Sequence, residues 1–294
     1  MRRLVIRCPA KVNLHLEVLG RREDGFHEVR TLLVAVGLFD ELELNPAPPS
    51  VLEVHFPGVP GLPADNTVFR AAQLLRQHFP QVGGAQVVVR KRIPVAAGLG
   101  GGSADGAAAL VALGRLWNLS LSPGSLARLA ARIGSDVPFF LWGGTCWAVG
   151  RGEEVYPLPD LPPYWVVLVP GRDAVPTAAV YGALKCGPFE GFRFGPLYDW
   201  LVGGGELPWQ ELRNDLQGTA VQLFPWIGEV LRRVRDAAPL VAMVSGSGGT
   251  VFAVFRHRHE AQQAVEKADL PQAVIVPVLA RSQSQPALLL EQED

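Results

Sequence analysis

Leu4, Ile6 and Cys8 alternate with more polar neighbours. After Pro9 and Ala10 the alternation resumes at Val12, Leu14, Leu16 and Val18. A period of two belongs to a strand with one apolar face, so residues 3–18 are predicted as a strand pair or one bent strand. The opposite face carries Lys11, Asn13, His15 and Glu17. A turn at 22–25 passes the chain to a second strand over 27–44. At 66–79 the period changes to that of a helix, with Val68, Ala71, Leu74, Leu75 and His78 on one stripe. Residues 87–93 return to strand. Ala107, Leu110, Val111, Gly114 and Trp117 then recur at helical spacing and predict one buried face. A short helix is expected over 126–133, and another helical turn begins within 134–138.

The Pro-rich stretch 157–163 reads as a linker, and 164–169 as a central strand opening the second half. Helices over 230–238 and 260–268 and strands over 240–244, 251–255 and 273–279 complete the pattern. Residues 187–209, rich in Gly, Pro and aromatics, read as a structured surface loop with short helices. The mixed order predicts an α+β fold with two lobes, residues 1–160 and 161–294.

Composition narrows the function classes. An apolar fraction of 48% in 294 residues supports a sizeable core. A net charge of −1 argues against a general role on nucleic acid or a membrane surface, while leaving room for a nucleotide held by a local positive field. Cys8, Cys146 and Cys186 have neither zinc spacing nor a disulfide framework, which points to a reducing compartment. The N-terminus lacks a signal-peptide apolar core, and no apolar run is long enough to span a bilayer. A cytoplasmic protein is expected. Lysine occurs only at 11, 91, 185 and 267, so each one invites inspection.

The chemistry concentrates in Pro94-Val95-Ala96-Ala97-Gly98-Leu99-Gly100-Gly101-Gly102-Ser103-Ala104-Asp105. Glycines let backbone approach closely and adopt positive φ. The first turn of the following helix offers unpaired N–H groups and the positive end of its dipole. Together they make an anion site. Close helix packing or a flexible loop is the other reading of the same residues. The segment is neither a Walker A loop, since no Lys-Ser/Thr pair follows, nor a dinucleotide fingerprint with its acidic residue about 20 positions on.

Four segments stand out in order: Pro9-Ala10-Lys11-Val12-Asn13-Leu14, the glycine segment, Gly134-Ser135-Asp136-Val137-Pro138, and Val244-Ser245-Gly246-Ser247-Gly248-Gly249. This set resembles the GHMP kinase superfamily, over most of the chain. The extension Gly20-Arg21-Arg22-Glu23-Asp24-Gly25-Phe26-His27-Glu28 is similar to one family within it, the 4-diphosphocytidyl-2-C-methyl-D-erythritol kinases of the non-mevalonate isoprenoid pathway. The resemblance implies a ribosomal S5-like N-terminal lobe and a ferredoxin-like α/β sandwich C-terminal lobe. It also implies transfer of the ATP γ-phosphoryl group to the substrate 2-hydroxyl, with Mg²⁺ bridging phosphate oxygens.

By that resemblance Asp136 is the base and Lys11 the charge-stabilising lysine. Pro94, Ala96, Ala97, Gly98, Leu99, Gly100, Gly101, Gly102, Ser103 and Ala104 hold the ATP phosphates, and Asn66 lies near the adenosine. Phe26, His27 and Tyr181 take the cytosine; Phe26 keeps the ring of the family's frequent tyrosine and loses its hydroxyl. Asn13 shares the face of Lys11 and is expected to touch substrate. No protein metal ligand is assigned. A small-molecule substrate, a monomer or weak homodimer, and no nucleic-acid or membrane partner are expected.

Simpler roles stand beside these. Asp136, Asn66 and Ser103 can be helix N-caps. Lys11 can be a solvated strand lysine, and Phe26 can be core. The Ser245 to Thr250 segment can be a plain turn. The alternative functions are another GHMP kinase of the homoserine or mevalonate type, a non-catalytic nucleotide sensor, and an RNA-binding protein sharing the S5-like lobe. The near-neutral charge argues against the last.

Overall fold

The computed structural model describes residues 3–186 and 195–293. The predicted first strand forms as one long bent element, β1 (Arg3–Arg21), paired antiparallel to β2 (His27–Ala47) along its length. Register shifts at Pro9/Ala10, Asn13/His15 and Val18/Gly20 bend it, because each extra residue increases local twist. The shift at Leu14 also breaks the expected single apolar face. Val12 and Leu14 pack between the two sheets, whereas Leu16 joins the core of the second lobe.

β3 (Leu52–His55) runs parallel to β4 (Gly84–Arg90), and β4 pairs with the C-terminal half of β2. The N-terminal half of β2 takes β5 (Thr145–Val149), which takes β6 (Glu154–Pro157). Helices α1 (Thr67–His78), α2 (Gly101–Leu116), α3 (Pro123–Ile133) and α4 (Val137–Trp142) cover one face of this sheet.

Helix α2 is not amphipathic. Its residues 104–110 and 112–114 are buried nearly all round, because small side chains let α1, α3 and the sheet close on it together. A Cβ on Gly106 would lie 3.1 Å from Thr67, and one on Gly114 would lie 2.9 Å from Leu121. The predicted single stripe describes only part of this contact.

The second sheet has the order β10–β7–β9–β8, all antiparallel, from β7 (Trp165–Pro170), β8 (Val241–Val244), β9 (Thr250–Phe255) and β10 (Val274–Pro277). Its outer face buries Val167, Val169, Ala242 and Phe255 against α5 (Thr177–Ala183), α7 (Gln217–Leu223), α8 (Pro225–Arg235) and α9 (Arg258–Lys267). Its inner face buries Val166, Leu168, Phe252 and Val254 against Val12, Val34 and Val36 of the first sheet. The layers are therefore helices, sheet, sheet, helices, in the expected α+β class.

Residues 187–194, part of the predicted surface loop, lie outside the described residues. Beyond them α6 (Pro196–Gly203) and a 3₁₀ turn at Trp209–Glu211 supply the short helices. The last strand, β11 (Leu290–Glu293), returns to the first sheet beside β1.

Candidate active site

The glycine segment connects β4 to α2. Ala96, Gly98 and Gly100 have positive φ of 56°, 75° and 72°. Gly98 and Gly249 each exclude a specific clash. A Cβ on Gly98 would lie 2.2 Å from the Ser245 carbonyl oxygen, and one on Gly249 2.6 Å from Ala97 Cα. The Ser245–Thr250 turn thus lies backbone to backbone against the loop, with Ser245 Oγ donating to the Gly98 carbonyl at 2.8 Å. Gly100 is the N-cap of α2 in the left-handed region. Ala104 N–H closes the first intrahelical bond, to Gly100 O at 2.9 Å, so the N–H groups of Gly101, Gly102 and Ser103 are the orphan donors of this helix start. Ser103 is the third helical residue and not the cap. Beneath the loop, Lys91 is bonded to both Asp40 and Asp105. Burial pushes the Asp105 carboxyl up to about 7, against the pull of Lys91.

Lys11 is carried to this loop by β1, and its backbone N–H donates to Leu99 O at 2.9 Å. Its side chain is 4% exposed, not solvated, and Nζ donates to Asn13 Oδ1 at 2.7 Å. Asn13 in turn donates through Nδ2 to Thr31 Oγ1 at 2.9 Å, and Thr31 donates to His15 O. Lys11 Nζ lies 3.5 Å from Asp136 Oδ2. Asp136 occupies the N-cap position of α4 but makes no side-chain cap bond, so its carboxylate is left for the cleft.

At the other end, Asp24 Oδ1 accepts from Phe26 N–H at 3.1 Å and sets the turn. The Phe26 ring is 50% exposed rather than core, and the Arg151 guanidinium lies over it, Cζ 4.8 Å from the centroid. His27 and Tyr181 rings meet at 4.9 Å between centroids. Burial, then the Arg21 charge, lowers the His27 pKa and favours neutral imidazole. Burial, then the Asp136 charge, holds the Tyr181 hydroxyl protonated, with its pKa raised.

These residues line a cleft of about 950 Å³ that includes Lys11, Asn13, Phe26, His27, Asp136 and Tyr181. A second cavity of about 280 Å³ is lined by Phe56, Leu62, Asn66, Thr67 and the loop. Both cavities reach Gly98, Gly100 and Ser103. A polyanion on the start of α2 can therefore extend into the smaller cavity while its end faces Lys11 and Asp136.

The description "GHMP kinases N terminal domain" matches residues 66–144, and "GHMP kinases C terminal" matches 207–270. A 4-diphosphocytidyl-2-C-methyl-D-erythritol kinase of Pelotomaculum thermopropionicum is 41% identical over 261 residues, 88% of this chain and 91% of the relative. The chain belongs to the 4-diphosphocytidyl-2-C-methyl-D-erythritol kinases, within the GHMP kinases. A relative of the same description from a Nocardioides species is 43% identical, covering 83% of this chain and 86% of its own. A crystal structure of a 4-(cytidine 5'-diphospho)-2C-methyl-D-erythritol kinase superposes with a TM-score of 0.76 at 37% identity, covering 93% of this chain and 98% of that one.

In this kinase the sequence-predicted residues gather around the two cavities with two exceptions. The Leu99 and Ala104 side chains are buried in the cores and line neither cavity, though Leu99 anchors Lys11 through its carbonyl. Asn66 is an N-cap, its Oδ1 accepting from Phe69 N–H at 3.0 Å, and it also lines the smaller cavity. Sequence reasoning missed Arg151 and Thr177 in the larger cleft. Thr177 Oγ1 lies 3.0 Å from Ser247 Oγ. No periodicity marks either residue; only their distance from Phe26 and the Ser247 turn in space reveals them. Among the described residues no group of three or more His, Cys, Asp or Glu side chains is placed to hold a metal. No described helix is long and apolar enough to cross a membrane.

Proposed function

We propose that this kinase transfers the γ-phosphoryl group of ATP to the 2-hydroxyl of 4-(cytidine 5'-diphospho)-2-C-methyl-D-erythritol, giving the 2-phosphate and ADP in the non-mevalonate isoprenoid route. The observation that carries the reading is the Lys11–Asp136 pair, 3.5 Å apart, on a cleft that also reaches the start of α2. Phosphoryl transfer depends on positioning and charge stabilisation. The orphan N–H groups of Gly101, Gly102 and Ser103 cradle the phosphates, and the adenosine lies towards Asn66 in the smaller cavity. Asp136 accepts the hydroxyl proton as the new O–P bond forms and the bond to the ADP oxygen breaks. Lys11, fixed by Asn13, neutralises charge on the transferring group.

Mg²⁺, if bound with ATP, would neutralise phosphate charge. The Ser103 hydroxyl, which lines both cavities, is one protein oxygen that would face it. Phe26, His27 and Tyr181 take the cytosine. Stacking of a base on an aromatic ring contributes about 1–3 kcal/mol. The reading divides the chain at 157–163 into an ATP-binding lobe of residues 1–160 and a second lobe of 161–294, with β11 returning to the first sheet. One chain supplies every group invoked, which suits a monomer or weak homodimer. Free thiols at Cys8, Cys146 and Cys186 suit a reducing, cytoplasmic setting.

A coupled assay tests the reading. Purified protein with ATP, Mg²⁺ and the cytidyl substrate releases ADP, while homoserine and mevalonate do not support turnover. Turnover with either of those and none with the cytidyl substrate would overturn it.

A further inference from the structure

Lys91 stands three residues before Pro94, and Asp105 stands five residues after Gly100, so the two flank the glycine loop. Their side chains are 7% and 3% exposed and meet at 2.7 Å. Lys91 is also bonded to Asp40 of β2, whose side chain is fully buried. The other oxygen of Asp40 accepts from the N–H groups of Arg92 at 2.6 Å and Ile93 at 2.8 Å. Those are the last two N–H groups before the loop. The start of α2 rests on the same cluster: a Cβ on Gly101 would lie 2.9 Å from Ile93 Cγ2 and 3.1 Å from Lys91 Nζ. Asp105 Oδ1 is buried without a hydrogen-bond partner, and the carboxyl is held by Lys91 through its other oxygen, next to the Asp40 carboxyl.

One ammonium buried against two carboxyls, of which Asp105 is raised to about 7 by burial, is a poor source of stability. Desolvation costs several kcal/mol per ion, and well-packed apolar residues of similar volume are commonly as stable or more so. What the ammonium supplies here is geometry, since it ties the strand before the loop to the helix after it. We propose that Lys91 is a positioning residue for phosphate binding: by bridging Asp40 on β2 and Asp105 on α2 it clamps both ends of the glycine loop and fixes where the α2 N–H groups point. The proposal rests on the reading that this loop carries the phosphates of ATP. Lys91 and Asp105 also line the smaller cavity; in this proposal Lys91 touches no reacting atom and sets the phosphate site through the loop.

The test measures the binding of MgATP and of the cytidyl substrate separately by calorimetry. Lys91→Met alone leaves Asp40 and Asp105 buried without their cation and can fail to fold, so the triple variant Lys91→Met/Asp105→Leu/Asp40→Asn is the main probe. It removes all three ionisable groups, and the Asn oxygen at position 40 can still accept from the N–H groups of Arg92 and Ile93. The expected result is a folded protein with a melting temperature near that of the wild type. Its MgATP affinity falls by about tenfold or more, in line with the cost of a misplaced binding group, and its cytidyl-substrate affinity stays within about threefold. Unchanged MgATP affinity in the folded triple variant would overturn the clamp and leave the cluster as core filling. Equal loss for both ligands would overturn it in favour of a general structural role. Wild-type protein that binds MgATP without turning over the cytidyl substrate would overturn the acceptor assignment alone, because the clamp is read from MgATP affinity.

Discussion

The contact between Lys11 Nζ and Asp136 Oδ2, at 3.5 Å, joins a side chain that is 4% exposed to one that is 39% exposed. The two are held differently. Lys11 is fixed by Asn13, by its backbone bond to Leu99 and by the absent Cβ of Gly100, while Asp136 is not tied down by a cap bond. A rigid cation beside a carboxylate open to solvent suits a base that must receive a proton from an incoming hydroxyl. Asp136→Asn and Lys11→Met are each expected to depress kcat by about 10²-fold or more. Asp136→Asn should also leave the melting temperature near that of the wild type. Steady-state kinetics with the cytidyl substrate check this; an effect confined to KM would reassign both residues to binding.

Gly100 and Gly102 separate two uses of glycine two positions apart. Gly100 has φ of 72°, and a Cβ there would lie 2.8 Å from Phe140 Cζ and 2.9 Å from Lys11 Cγ. Gly100→Ala is therefore expected to cost about 1–2 kcal/mol in backbone strain alone and to displace Lys11, lowering both kcat and the melting temperature. A Cβ on Gly102 meets nothing nearer than Thr67 Oγ1 at 3.9 Å. Gly102→Ala should keep or slightly raise stability through better helix propensity, yet raise KM for ATP by crowding the phosphates. Melting curves together with ATP titrations distinguish the two; a stable, fully active Gly100→Ala protein would refute the packing argument.

The local signals in the sequence were strong where backbone chemistry is local. The glycine run marked the start of α2, and period-two alternation marked β1 and β2. Tertiary effects were less legible. Lys11, Asn13, His15 and Glu17 look like one polar face, yet all four are buried; Lys11 donates to Asn13, and Glu17 pairs with Arg30 and Arg213. The bulge at Leu14 left no mark, since the neighbouring residues still alternate. Strand β3 has only four residues, and β11 pairs with a strand nearly the whole chain away. Asp136 resembled a helix cap in sequence and does not act as one, whereas Asn66 does.

Phe26 is half exposed at the rim, so its ring contributes little to folding. Its removal should be felt at one substrate only. Phe26→Ala is expected to raise KM for the cytidyl substrate by an amount corresponding to about 1–3 kcal/mol, with KM for ATP and the melting temperature unchanged. Inhibition by free CDP reports on the same contact without catalysis and should weaken in parallel. Equal weakening towards ATP would show that the ring acts on the whole cleft and not on the cytosine.

Glu17 gives the kinase an acid-sensitive junction between its lobes. The side chain is 6% exposed and paired with Arg30 of β2 and with Arg213, which is followed by a segment hydrogen-bonded to β1 through Leu16 and Val18. Burial alone would raise its pKa. The His15 ring nitrogen 3.7 Å away, the hydrogen bond from Arg30 and the charges of Arg213 and Arg30 outweigh burial and bring it from 4.5 down to about 2. The folded state therefore binds fewer protons than the unfolded chain between those values. The contribution is complete above pH 4.5 and is lost progressively as pH falls towards about 2. Glu17→Gln removes it at every pH. The melting temperature of the variant should lie below that of the wild type by a constant margin from neutral pH down to about 5, and the margin should close below that as Glu17 of the unfolded chain takes up a proton that the folded carboxylate does not bind until about pH 2. Thermal melts of both proteins across this range check the sign. A margin that persists unchanged to the acid end would mean that packing of the Glu17 side chain, and not its charge, holds the junction.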